Sequence, residues 1–537
     1  MSTHEPRHVV VVGGGIAGLT TAYELGERAR ASGQRLRVTL IEAAPDVGGK
    51  ILTEEVASEL GTFVVEGGPD SFLTQKPWAA QLCRRLGLDA ELIPTNDARR
   101  AVFVVHRGRL ERLPEGMQLI VPTRVMPLLR SRLFGWPGKL RMLVEPLIPP
   151  RRGAGDESLA AFVGRRFGRE VVETLAEPLM SGIHAAQPEQ QSLLGTWARY
   201  REMELTYGSL IRGTLAQRRA ARTSPAANTG RPASMFLSLR GGLKQLVEAL
   251  RGALHDVEVR VGERVISLEQ GLSGYRLQTS AGTWLEADAV ALATPAYAAG
   301  DLLRTFAPEL AELLHSIRYV STATVSLGYR RADIAHPLDG FGFVVPRREA
   351  RRIFGCTWSS TKFAHRAPEQ GVLVRCFVGG SGNEAIVEGS DAELLTAARD
   401  ELRLLMGIDA EPVFSRVFRW RRSNPQYDVG HLKRVQSIYV HAAEHPGLFV
   451  TGSAYEGVGI PDCVRHAQQT AEKVLEYLSM TRTDKTPRTP SGHPLAAVQS
   501  SRQNPMALQQ KPAQRKRRRR ILDFAPREQP GYLGDRD

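Results

Sequence analysis

At 537 residues the chain is too long for one compact core, and its globular composition predicts roughly three domains or one elaborated two-domain enzyme. The net charge of +14 looks like a nucleic-acid signal, but thirteen Lys/Arg against five Asp/Glu from Arg482 onward place +8 of it in the tail, which leaves the body unremarkable. The four cysteines, Cys83, Cys356, Cys376 and Cys463, are far apart and form no C-x-x-C or His/Cys cluster, so neither a metal site nor a disulfide framework is expected. The leader MSTHEPRH has no apolar core and the longest apolar stretch is too short and strand-like to span a bilayer, so a reducing cytoplasm is the expected location.

The first element, HVVVVGGGIAGLTTAYEL from His8 to Leu25, reads as strand, tight turn and helix. Gly13, Gly15 and Gly18 occupy the three positions of the G-x-G-x-x-G dinucleotide fingerprint. One serves the turn, one the close approach of a pyrophosphate, and one the packing of helix on strand. The helix opening there aims its free N–H groups and positive dipole end at phosphates. A second buried strand, RLRVTLIE, ends at Glu42, where an acid suits a ribose 2′-hydroxyl and repels a 2′-phosphate, which disfavours NADP. In AAPDVGGK the pair Gly48 and Gly49 followed by Lys50 suits a second backbone approach to the same long dinucleotide, which favours FAD over NAD. The next glycine pair, in VVEGGPDSF, follows a strand-like run, and Asp70 or Ser71 is a candidate helix N-cap, with plain turn chemistry as the competing reading.

These motifs resemble those of a known family. GGGIAG at Gly13 to Gly18, EAAPDVGGK at Glu42 to Lys50, and above all EGGPDSF at Glu66 to Phe72 resemble the FAD-dependent porphyrinogen oxidases of haem biosynthesis, the bacterial coproporphyrinogen/protoporphyrinogen oxidase family. The first two are shared with amine oxidases and carotenoid desaturases; the third is more particular. The resemblance implies an α/β fold: a discontinuous Rossmann-like FAD-binding domain, an antiparallel-sheet substrate domain and a helical insert. It also implies non-covalent FAD contacts at Gly13, Gly14, Gly15, Ile16, Ala17, Gly18, Glu42, Ala43, Gly49, Lys50, Gly68, Pro69, Asp70 and Ser71.

Residues from Lys76 to about Arg222 show apolar residues at helical spacing with arginines between them, an inserted helical region. Met, Leu, Phe and Trp among Arg124, Arg130, Arg132, Lys139 and Arg141 suit a transient membrane-surface contact, as the resemblance implies for some relatives. Beyond that, a core stripe with a solvated basic flank is favoured. Arg212 to Arg231 is Ser/Pro/Asn-rich and reads as a flexible loop. Regular structure restarts at FLSLRGGLKQLVEAL and returns through short strands to a buried strand ending at Thr294-Pro295, with Val265 implied by the resemblance as an adenine-end contact.

From Ile317 to about His431 alternating runs predict an antiparallel sheet, a platform for a flat substrate over a flavin. Within it GSGNEA at Gly380 to Ala385 mimics a second fingerprint, but no strand ending in an acid follows, so a hairpin turn is expected. The closing unit from Pro446 to Leu478 is strand, glycine-rich loop and a helix beginning near Pro461. Here GVGIPDC and NPQYDVGH match the family, apart from Asn424 where methionine is common, and the match implies Trp420, Val458, Gly459 and Ile460 as flavin contacts. The expected boundaries are 1–80, 236–302 and 436–480 for FAD binding, 81–222 for the helical insert with part of the substrate domain, 303–435 for the substrate domain, and 481–537 for a disordered basic tail.

The implied activity is the six-electron oxidation of coproporphyrinogen III to coproporphyrin III with oxygen as acceptor and peroxide release. Protoporphyrinogen IX is the alternative substrate and a flavin amine oxidase or desaturase the more distant one. No residue stands out as a catalytic base, and nucleic acid is not expected to be required. Arg99, Arg100, Arg107, Arg109, Arg112, Arg351 and Arg352 are plentiful enough to meet a tetra-anion, with solvated surface charge the favoured role for any one of them.

Overall fold

The structure, a computed structural model, describes residues 6–153, 155–223 and 234–483. Its first layer is a five-stranded, wholly parallel sheet. β1 (Arg7–Val12) is central; β2 (Leu36–Glu42) and then Val257–Val261 lie on one side, Ala289–Leu292 and Leu448–Val450 on the other. The four valines of β1 are buried on both faces, as a parallel strand between helices requires. Val9 and Val11 pack with Leu19, Leu25, Val464 and Val474 of the helices Ile16–Ser32 and Ile460–Thr483. Val10 and Val12 face the other way, onto Leu303, Leu310, Val435 and Ile438.

The second layer is a seven-stranded sheet in the order Phe414–Pro425, Tyr319–Arg330, Gly371–Gly379, Ile353–Thr357, Gly340–Val344, Ala101–His106, Arg109–Arg112. It is antiparallel except where Gly340–Val344 meets Ala101–His106 in parallel. Alternation sorts its side chains. Ala323, Val325, Leu327, Val374, Cys376 and Val378 form a dry face covered by helix Asp391–Met406. Thr322, Thr324, Arg375 and Phe377 take the opposite face.

Within the stretch read as a helical insert with part of the substrate domain, two strands, Ala101–His106 and Arg109–Arg112, join the second sheet, linked by a turn with positive φ at Arg107 and Gly108. Other expectations need correction. The run expected to be a loop from Arg212 is a helix, Leu210–Thr223, through its first twelve residues, and 224–233 lie outside the described residues, as does the tail from 484. Gly380 to Ala385 is not a hairpin: it turns into the short 3-10 segment Glu384–Glu388 and then the helix Asp391–Met406. The basic stretch after Arg124 splits, with Leu128, Leu133, Phe134 and Met142 in the core and Val125, Met126, Trp136 and Leu140 exposed. Among the described residues no helix is long and apolar enough to cross a membrane.

Candidate functional site

One cavity of about 940 Å³ runs along the carboxyl ends of the parallel strands and over the open face of the second sheet. Open α/β sheets place ligands at that end. Three glycine clusters build its floor. Gly13 has φ +107° and a Cβ there would meet the Ala293 carbonyl at 2.9 Å; a Cβ on Gly18 would overlap the Gly13 carbonyl itself. Gly15 differs, since the nearest atom to its missing Cβ is the Gly49 Cα at 4.0 Å, so space is left on the cavity side. The Gly48 amide donates to the Gly14 carbonyl at 2.8 Å, docking the second cluster on the first, and a Cβ on Gly68 would overlap the Lys50 carbonyl.

The helix beginning at Ile16 has Gly15 as its N-cap, with no side-chain cap and no acid in the first turn. Its leading N–H groups therefore have no protein side chain to satisfy them and suit a phosphate. Glu42, at the end of β2, accepts from the Gly14 amide at 2.6 Å and the Ala44 amide at 2.7 Å. Those bonds fix the carboxylate and leave lone pairs for ribose hydroxyls. Open loop geometry, uncapped helix and pinned acid together fit a dinucleotide.

At the other end the wall comes from two loops and a bulge. In the strand Phe414–Pro425 the register slips opposite Val320/Thr322 and Arg422 takes φ +43°, so that Ser423 and Asn424 reach the cavity. The Trp420 indole donates to the Gly67 carbonyl at 2.9 Å. Asn424 satisfies its amide on Thr322 Oγ1 at 3.1 Å and Ser423 Oγ at 3.2 Å. Val458, Gly459 and Ile460 open the helix Ile460–Thr483, whose first-turn Asp462 is paired with Lys76 at 2.6 Å. Burial pushes the Cys463 thiol up to about 12, against the pull of Lys50, so it stays protonated and a weak nucleophile.

The sheet contributes Phe354 and Phe377, with ring centroids 5.8 Å apart, and the Arg375 guanidinium 4.8 Å over Phe377. Arg375 donates to the Gly68 carbonyl, while its Nε has no partner. Burial lowers its pKa and Asp70 opposes that shift. His184, ending the helix Glu177–His184, lines the cavity; burial, with Lys76 adding to it, pushes its pKa down to about 4, so the ring is neutral near pH 7.

Of the residues expected from the sequence, Gly13, Gly15, Ile16, Ala17, Glu42, Ala43, Gly49, Lys50, Gly68, Pro69, Ser71, Val265, Trp420, Val458, Gly459 and Ile460 line this one cavity. Gly14, Gly18 and Asp70 do not. The glycines sit behind the loop. Asp70 is not a helix cap: Phe72–Leu73 is a short strand, and the next helix starts at Trp78 after Pro77. Instead Asp70 is bound by the Lys362 ammonium at 2.9 and 3.0 Å. Burial would raise its pKa, but Lys362 and Arg375 outweigh burial and hold the carboxyl well below the usual range. The arginines plentiful enough to meet a tetra-anion do not line this cavity, as suits the solvated role favoured for each of them. Arg351 and Arg352 pair with Glu401 and Asp400, and Arg107 and Arg109 line a separate cleft beside Arg130 and Lys139. Arg375 and His184, absent from the expected set, take places on the wall. Arg375 was legible only as a charge at an alternating position inside VLVRCFVGG.

Over residues 16–475 the chain matches the family of flavin-containing amine oxidoreductases. A coproporphyrinogen III oxidase of Bacillus subtilis (strain 168) is 36% identical to it, over 88% of this chain and 98% of that protein. One from Propionibacterium freudenreichii subsp. freudenreichii is also 36% identical, over 87% and 91%. Among solved structures, an Exiguobacterium sp. 255-15 protein assigned as a protoporphyrinogen oxidase superposes with a TM-score of 0.78 at 33% identity, covering 89% of this chain and all of that one.

Proposed function

Because this chain belongs to the flavin-containing amine oxidoreductase family, in its porphyrinogen oxidase branch, we propose that it binds FAD non-covalently and oxidises coproporphyrinogen III to coproporphyrin III. Oxygen is the electron acceptor, so one porphyrinogen and three oxygen molecules give one porphyrin and three hydrogen peroxides. The observation that carries this reading is the single cavity: a dinucleotide cradle and the platform of Phe354, Phe377 and Arg375 share one space, so cofactor and flat macrocycle can meet in it.

When bound, the flavin supplies hydride acceptance and electron return to oxygen. The chain does the holding. Gly13, Gly15 and the Ile16 helix terminus take the pyrophosphate, Glu42 the ribose, Val265 the adenine end, and Trp420 with Val458 to Ile460 the ring end. Gly14 and Gly18 shape the loop from behind. The protonated Cys463 thiol supports a flavin held without a covalent bond. In the cavity lining Lys50, Arg264 and Arg375 stand against Glu42, Glu263 and Asp301, and Arg375 on the platform is the cation available to an anionic substrate. On this reading the FAD-binding portion is drawn from 1–80, 236–302 and 436–480, and the substrate portion from 81–222 and 303–435. The protein works in the cytoplasm, and the exposed Val125, Met126, Trp136 and Leu140 are its face for transient membrane-surface contact.

The purified protein should be yellow, turn colourless coproporphyrinogen III fluorescent, and release three peroxides per porphyrin. Its kcat/KM should exceed that for protoporphyrinogen IX and fall with salt, as for a steered anionic substrate. A preference for protoporphyrinogen IX with no salt effect would overturn the substrate assignment. Rapid reduction of the bound flavin by NADPH would overturn the choice of oxygen alone.

A further inference from the structure

Lys50 presents a positive charge on the cavity wall, and no carboxylate partners it among the described residues. Its ammonium donates to the Ser423 carbonyl and lies 3.5 Å from Ser453 Oγ. The other cations at this end are matched: Lys76 by Asp462, Lys362 by Asp70. Arg375 also lies in the field of Asp70. The acidic group that Lys50 does feel is the Cys463 thiol, which is protonated and so offers no counter-charge. Burial lowers the pKa of the Lys50 ammonium below the ordinary lysine value. A cation held in such a wall needs a negative partner, and the occupant of the cavity is what remains to supply one.

The strand order says which part of the occupant that is. Glu42 ends β2, on the ribose side, and Gly13 to Gly15 follow β1, where the phosphates sit. Beyond β1 come Ala289–Leu292 and then Leu448–Val450, and the dinucleotide must continue that way to its ring end. Ser453 follows that last strand. Although the Lys50 backbone adjoins the glycine loop, its ammonium has been carried past the phosphates to the ring end. The N-terminus of the helix Ile460–Thr483 adds positive potential there, and its one first-turn acid, Asp462, is taken by Lys76.

We propose that the Lys50 ammonium is the counter-charge for the negative charge that the isoalloxazine ring acquires on taking up hydride, and that Lys50 thereby sets how readily the flavin is reduced. The inference rests on the flavin reading of the site. Hydride brings two electrons and one proton and leaves the ring one unit more negative. Passing both electrons and that proton to oxygen, with one further proton from solvent, forms hydrogen peroxide and restores the ring. A fixed cation beside the ring favours the charged state without reorganising, which is how a protein tunes a flavin.

Sulfite tests this without turnover, because it adds to the oxidised ring, leaves it negatively charged and bleaches its visible absorbance. The FAD-loaded wild type, Lys50→Met and Lys50→Arg are titrated with sulfite, and FAD affinity is measured separately on each. Loss of the charge should raise the sulfite Kd of Lys50→Met about tenfold or more, while Lys50→Arg stays within about threefold of wild type. The reduction potential of Lys50→Met should fall in parallel, by about 30 mV for each factor of ten. Unchanged sulfite affinity in Lys50→Met overturns the proposal. So does a large loss of FAD affinity with sulfite affinity intact at FAD saturation, which would place the charge on the pyrophosphate. Should Lys50→Met not fold, Lys50→Gln serves the same comparison. A wild type that holds no flavin would refute the underlying reading instead.

Discussion

Replacing Asp70 by asparagine keeps the shape of the side chain and removes one charge from between two cations. The carboxylate lies 2.9 Å from the Lys362 ammonium and also faces Arg375. At an effective dielectric of about 20, the Lys362 contact alone is worth about 6 kcal/mol of attraction. The cost of burying both charges and the solvent that still reaches this half-buried pair take back about half, so Asp70→Asn should lower stability by about 3 kcal/mol. Lys362 retains Ser71 Oγ at 3.4 Å and the ring faces of Phe236 and Phe363, which keeps the loss from being larger. The assay is urea unfolding of the flavin-free protein, followed by tryptophan fluorescence, at several pH values. Because the folded carboxyl titrates below its unfolded value, its stabilisation is complete above about pH 4 and is lost as pH falls through the folded value. The gap between wild type and variant should therefore be constant from pH 5 to 8, in units set by that linkage, and narrow in acid. A gap under about 0.5 kcal/mol, the usual size of a surface substitution effect, or one that widens on acidification, would refute the reasoning.

Gly15→Ala and Gly18→Ala should act oppositely. The first adds a methyl to open space, so the flavin-free protein keeps its melting temperature while FAD binds about tenfold more weakly for lack of room at the pyrophosphate. The second drives a methyl into the Gly13 carbonyl and should cost about 1–3 kcal/mol before any flavin is added; equal melting temperatures for the two variants would count against this loop geometry. Glu42→Gln removes the charge that holds the Gly14 and Ala44 amides and should weaken FAD by about 1–3 kcal/mol. An unchanged FAD dissociation constant would remove Glu42 from the ribose.

What the sequence discloses here is what depends on neighbours in the chain. The turn after β1 and the acid closing β2 are local devices with fixed spacing, so the parallel unit is legible from Arg7 to Glu42. The antiparallel platform shows itself through alternation. Asp70 misleads for the complementary reason: in GPDSF it has the look of a cap, but its partner Lys362 is 292 residues away. Arg375 is hidden the same way, since the contacts that place it on the wall, Gly68 and Asp70, come from a distant loop. Other features were locally encoded but outweighed. Ser390 and Glu393 form a capping box that announces the helix Asp391–Met406 inside a region dominated by strands. The Arg107-Gly108 turn signals the hairpin Ala101–Arg112, but the arginines around it read first as solvated surface charge or partners for an anionic substrate.

The five strands under the cofactor come from the beginning, the middle and the end of the chain, and that dictates an order of assembly during synthesis. β1 is made well before its partners, since its neighbour Ala289–Leu292 and the edge strand Leu448–Val450 arrive only after the long intervening chain has been added. At about 5–20 residues per second, the glycine loop waits roughly 20 seconds or more for the strand that completes its sheet. A nascent chain arrested before Val450 therefore has a phosphate cradle with no ring-end wall, and it should not retain the flavin. On the proposed reading, cofactor capture waits for the ring-end wall, and a yellow colour reports a chain completed at least to the helix Ile460–Thr483.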